Sequence, residues 1–137
     1  MSRFTFRPSA VIGGLLAALC PALLTGCPPD EPCVDISLAA IQTEIFTPSC
    51  AASACHGGAN PSRGLDLDDE TFASSVDAAA VEPGWTRVVP GDTENSLLYQ
   101  VLLDSVGNTR RMPPGFALDG CEVSSVRVWI EEGAQDN

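Results

Sequence analysis

Apolar residues along this chain recur at helical intervals in a few short blocks, separated by long polar stretches rich in Gly and Pro. Over residues 35–46, Ile36, Leu38, Ala39, Ile41, Ile45 and Phe46 fall mostly on one helical face, and Thr47-Pro48 is expected to end that helix. Leu65 and Leu67 then alternate with acids in a short extended piece, residues 69–76 read as a brief helix, and residues 82–85 read as a turn. Pro90-Gly91-Asp92 introduces the clearest helix of the middle. Asp92 or Thr93 is placed to cap it, and Leu97, Leu98, Val101 and Leu102 form its apolar stripe. Residues 106–115 read as loop. Asp119 and Glu122 stand in capping-box relation ahead of a last helix that carries Val123, Val126, Trp129 and Ile130 on one face and stops at Gly133. With no internal repeat and no strand-like alternation, the pattern predicts a small all-α domain of about four helices with long loops. Loops this long are unusual in so small a domain unless they wrap something.

The N-terminus changes the picture of where the domain sits. Arg3 and Arg7 precede an apolar stretch, residues 10–24, that is too short and too interrupted by Gly and Pro to span a membrane. It ends in Leu24-Thr25-Gly26-Cys27, which resembles the bacterial lipobox. That resemblance implies cleavage before Cys27, acylation of its sulfur, and a protein anchored to a membrane without crossing it. Pro28 after the cysteine, where an Asp would signal retention, implies the outer membrane, facing the periplasm or the cell surface. The expected organisation is a lipoprotein signal peptide over 1–26, a tether rich in Pro and acids over 27–34, and one folded domain over 35–137.

The chain has no lysine. Of its seven arginines, two leave with the signal, so five face all 18 acids and the remaining net charge is −13. Such a surface repels nucleic-acid phosphates and anionic headgroups, which leaves the lipid as the membrane attachment. The same field would steer a basic redox partner, and it equally serves solubility.

The candidate chemistry lies in Cys50-Ala-Ala-Ser-Ala-Cys55-His56 and in Arg111-Met112-Pro-Pro. His56 is the chain's one histidine, and Met112 its one methionine besides the initiator. A c-type haem needs two thiols for its vinyl groups, an imidazole on one face of the iron and often a thioether on the other. Cys50 and Cys55 would hold the haem covalently, His56 would be the proximal axial ligand, and Met112 the distal one. The second N–H of His56 would need an acceptor, expected from a backbone carbonyl in residues 57–61. Other readings of the same residues are a local Cys50–Cys55 disulfide and a zinc site of cysteines with His56. Arg110 and Arg111 could neutralise haem propionates or be solvated. Trp85 and Trp129 read as core, with Trp129 also placed to line a haem edge. If Cys50 and Cys55 hold haem, Cys33 and Cys121 are free to form a disulfide that ties the start of the first helix to the first turn of the last.

The order SCAASACHGGANPSRGLDL, RVVPGDTENSLLYQVLL, RMPPG and CEVSSVRVWIEEGA resembles the planctomycete-type cytochrome c domains, a branch of the class I cytochrome c fold, over about residues 37–134. The resemblance implies covalent haem c at Cys50 and Cys55, axial His56 and Met112, and an electron carrier with a redox partner. The usual attachment motif has two residues between the cysteines, and this chain has four. The expectation is a lipid-anchored monohaem cytochrome and not an enzyme; a peroxidase would want a second histidine. The alternative is a haem-free structural or interaction lipoprotein held by disulfides.

Overall fold

The computed structural model describes residues 31–137. The expected signal peptide, Cys27 and the first half of the tether lie outside the described residues. Four helices follow in order: α1 runs through Leu38–Ile41, Gln42–Phe46 and Thr47–Ser49, α2 is Thr71–Ser75, α3 is Leu97–Leu103 and α4 is Gly120–Glu131, with a 3-10 turn at Ser62–Gly64. Among the described residues there is no sheet. Isolated bridges such as Val76 with Val88 and Thr86 with Ser96 join the loops. The all-α architecture with long loops agrees with the apolar pattern. No helix among the described residues is long and apolar enough to cross a membrane.

α1 begins at Ser37, whose hydroxyl accepts from the Ala40 N–H. It does not stop at Thr47-Pro48, as the sequence suggests. Residues Gln42–Phe46 form a π turn in which the Thr47 N–H reaches back five residues to the Gln42 carbonyl. In a regular helix the Pro48 ring would press on the carbonyl four residues earlier, and the widened turn accommodates it. The helix therefore continues one more turn, and the N–H groups of Cys50 and Ala51 both bond the Phe46 carbonyl, at 2.8 and 2.9 Å. Ile41, Ile45 and Phe46 are fully buried.

α3 also departs from expectation at its start. Ser96 occupies the N-cap, without a side-chain cap bond. Asp92 instead closes a turn of its own, accepting from the Asn95 N–H at 3.0 Å and from its side-chain amide at 2.7 Å, the local backbone bonding that short acidic side chains favour. The buried Ser96 hydroxyl then ties that turn down, donating to the Asp92 carbonyl at 2.6 Å and accepting from Val89 N at 2.8 Å.

α4 follows the sequence closely. Asp119 and Glu122 form both bonds of the capping box, each 2.8 Å, and Gly133 at φ 101° turns the chain out of the helix. Val126, Trp129 and Ile130 pack with Ile41, Ile45, Phe46, Val88, Leu98 and Leu102 in one core. The C-terminal tail folds back: Trp129 Nε1 donates to the Gln135 carbonyl at 2.9 Å, and Asn137 accepts from the N–H groups of Leu38 and Ala39, two donors that a helix start leaves unpaired. Cys33 and Cys121 form the disulfide the sequence allows, with Cα atoms 5.2 Å apart. It joins the segment ahead of α1 to the first turn of α4.

Candidate functional site

The long loops and α3 enclose a cavity of about 410 Å3, within the usual range of small-molecule sites. Phe46 at the end of α1, Leu98 and Leu102 on α3, and Leu65 and Leu67 between the helices make its surface largely apolar. Cys50, Cys55, His56 and Met112 all line it. The four residues singled out from the sequence, up to 62 positions apart, thus meet at one place.

One wall is the cysteine loop. Cys55 N bonds the Ala52 carbonyl at 2.7 Å, and His56 N bonds the Cys50 carbonyl at 3.1 Å. Gly57 is buried directly behind it. A Cβ there would collide with the Ala51 carbonyl oxygen, so the loop folds back tightly only because residue 57 has no side chain. The ring of His56 is held through Nδ1, which lies 3.2 Å from the Ser62 carbonyl oxygen and 3.3 Å from that of Leu65. The acceptors are therefore not in residues 57–61, as the sequence reading has it. The 3-10 turn at Ser62–Gly64 curls back over the ring and brings later carbonyls to it. Nδ1–H donates, which leaves Nε2 as the nitrogen able to ligate. Burial lowers the pKa of His56. The bonds to Leu65 and Ser62 oppose that shift, and the charges of Arg87 and Arg63 add to it. The imidazole is thus held neutral, the form a metal requires.

The turn is itself clamped. Arg87 donates to the carbonyls of Gly64 at 2.8 Å, Ser74 at 2.6 Å and Arg63 at 2.7 Å.

A second wall is the loop after α3. Met112 N donates to the Val101 carbonyl at 2.7 Å, and Arg111 Nε donates to the Leu102 carbonyl at 3.1 Å, so both residues are tied to the end of α3. Pro113, joined by a cis bond, is buried behind the half-buried Met112. Phe116 is exposed at the cavity mouth.

Cys50 is half-buried, Cys55 is exposed, and both are free thiols. Burial, then the neighbouring Cys55 and Glu122, push the Cys50 thiol up to about 11. No local disulfide joins the two. Among the described residues one trio of metal-ligand types converges, Cys33, Asp119 and Cys121, and its two sulfurs are already bonded to each other. Cys50, Cys55 and His56 do not draw together as a zinc site would need.

Of the two arginines noted in the sequence, only Arg110 lines the cavity. Arg63 lines it as well and was not singled out. It sits seven residues after His56 in a Ser-Arg-Gly turn with φ 56°, and nothing in the local pattern marks that turn as folding back over the imidazole. Trp129 and Trp85 are not in the wall, and Trp129 belongs to the core against α1.

No curated protein and no solved structure matches the chain. Residues 53–115, which include Cys55, His56 and Met112 and begin just after Cys50, match the family model described as Planctomycete cytochrome C.

Proposed function

We propose that this protein is a monohaem c-type electron carrier, anchored at the bacterial cell envelope through an acylated Cys27. The observation that carries the proposal is the meeting of His56 and Met112, 56 residues apart in sequence, on one apolar cavity beside two unpaired thiols. When bound, haem c supplies a one-electron iron couple, which His/Met ligation sets high. The chain's own part is to attach, orient and shield. Cys50 and Cys55 offer the thiols, His56 offers Nε2 with its Nδ1–H already spent on backbone carbonyls, and Met112 offers its sulfur from a loop pinned to α3. Phe46, Leu65, Leu67, Leu98 and Leu102 exclude water from the site. With His56 and Met112 as its ligands the iron would have no open position, and the chain has no second histidine to assist peroxide cleavage. Electron transfer therefore suits the site better than oxygen or peroxide chemistry. The acidic surface favours a basic redox partner, and the lipid is the membrane attachment.

The test is to express the full chain with a c-type maturation system, denature it, and look for haem stain and visible absorption travelling with the polypeptide. A colourless chain with no free thiols would overturn the proposal in favour of a haem-free lipoprotein held by disulfides.

A further inference from the structure

His56 and Met112 belong to separate segments, and the backbone bonds described so far tie each to its own wall. What ties the two walls to each other is the Thr109 hydroxyl, and a buried carboxylate that plays no part in that account holds that hydroxyl in place. Glu82 is 9% exposed. Its Oε2 accepts from Asn108 N at 3.1 Å and from the Thr109 hydroxyl at 3.1 Å. Thr109 in turn accepts from Arg63 Nη1 at 3.3 Å. Arg63 belongs to the turn whose Ser62 and Leu65 carbonyls hold the His56 ring, while Thr109 lies three residues before Met112.

The loop is shaped to receive this carboxylate. Val106 and Thr109 exchange both backbone bonds at 2.8 Å, and between them Gly107 takes φ 54° with Glu82 packed against it where a Cβ would stand. Arg63 and Glu82 form no direct ion pair; the Thr109 hydroxyl stands between them, donating to one and accepting from the other. A hollow of about 70 Å3 has Glu82, Thr109 and Arg63 in its wall together with His56 and Met112. A buried carboxylate is costly unless its acceptors are used, and here the use is to fix the loop whose Thr109 hydroxyl meets Arg63 across the gap between the two walls.

We infer that Glu82 is a positioning residue: through Thr109 and Arg63 it straps the Met112 loop to the His56 turn and so fixes the sulfur at its distance from the imidazole. The inference rests on the reading of His56 and Met112 as ligands.

The test uses the full chain matured with haem, with imidazole as a competitor for the position of Met112, and amide exchange of the Met112 N–H in the haem-free chain. Glu82→Ala should raise the affinity for imidazole about tenfold, the scale of a lost bond to a charged group, and speed exchange at Met112. Glu82→Gln keeps an acceptor and should restore most of both. Thr109→Val, which removes only the relay hydroxyl, should behave like Glu82→Ala and decides the matter if the alanine variant does not fold. Val126→Ala, in the core away from the cavity, should change neither readout. Wild-type imidazole affinity and Met112 exchange in Thr109→Val, or an equal change in Val126→Ala, would overturn the strap. If the wild-type chain takes up no haem, the electron-carrier reading falls, and exchange at Met112 alone then decides the strap.

Discussion

Removing the Cys33–Cys121 bond should cost this domain a large part of its stability. The bond closes a segment with a sequence separation of 88. In the chain-entropy model such a loop restricts the denatured ensemble by about 4.5 kcal/mol at 25 °C. The native side adds little to offset that figure, because the Cα separation of 5.2 Å lies inside the ordinary range for a disulfide. A domain of about a hundred residues loses roughly 4 °C of melting temperature per kcal/mol, so Cys33→Ser with Cys121→Ser should melt about 15–20 °C below the parent. Thermal unfolding followed by circular dichroism measures it directly, and the parent under strong reductant should match the double variant. Among the described residues α4 also packs on α1 through the core, but the polar ties at this end are single hydrogen bonds: Cys33 N to the Ser125 hydroxyl at 3.0 Å, and the Asn137 contacts to the start of α1. At about 1 kcal/mol each they cannot replace the bridge. A fall of less than about 5 °C would refute the reasoning, since it would mean that the denatured chain is already held compact without the bond.

Thiol chemistry should separate the two cysteines of the loop: in the haem-free chain at neutral pH, iodoacetamide should label exposed Cys55 well before half-buried Cys50, whose thiol is pushed up to about 11, as read by peptide mass spectrometry. Gly57→Ala should destabilise by about 1–3 kcal/mol in urea titration, because the neighbour its Cβ meets is the Ala51 backbone and not a movable side chain. The Asp92 carboxyl is held below its ordinary value by the Asn95 side chain and then the Asn95 N–H. Its contribution to stability is therefore full above the unfolded value near 3.8 and fades as pH falls through the folded one, so Asp92→Asn should flatten the acid limb of a stability–pH profile in that window. Met112→Ala in the haem-loaded chain should lower the reduction potential and weaken the low-spin spectrum; an unchanged spectrum would remove Met112 from the site.

Much of the fold was legible because its signals are local. The α4 capping box, its Val126–Trp129–Ile130 stripe and the Gly133 stop each need only a few neighbouring residues, and each is present. The misread boundaries are local too, but at each of them two local arrangements compete and residue type alone does not choose between them. Pro48 is an ordinary helix stop unless a π turn precedes it, and nothing in Gln42–Phe46 announces one. Asp92 is a good cap by type, yet its carboxylate is drawn into a turn with Asn95 while Ser96 starts the helix. At the site, residue types rare in this chain pointed to His56 and Met112. The residues that hold them, Arg87, Arg63 and Glu82, are ordinary in type and become visible only once the turn after His56 is folded over the ring.

The His56 N–H to Cys50 carbonyl bond makes the four residues between the cysteines a side excursion with a closed neck. The neck enters the cavity wall together with Ala54, the last residue of the excursion. The residues added beyond the usual two lie in the excursion, and the Cys55-His56 order that presents the imidazole is unchanged. A spacing that looks like a broken motif in one dimension is thus taken up within the excursion in three. In this chain the wall depends on the missing side chain behind the loop, because a Cβ on Gly57 would meet the Ala51 carbonyl of the excursion itself.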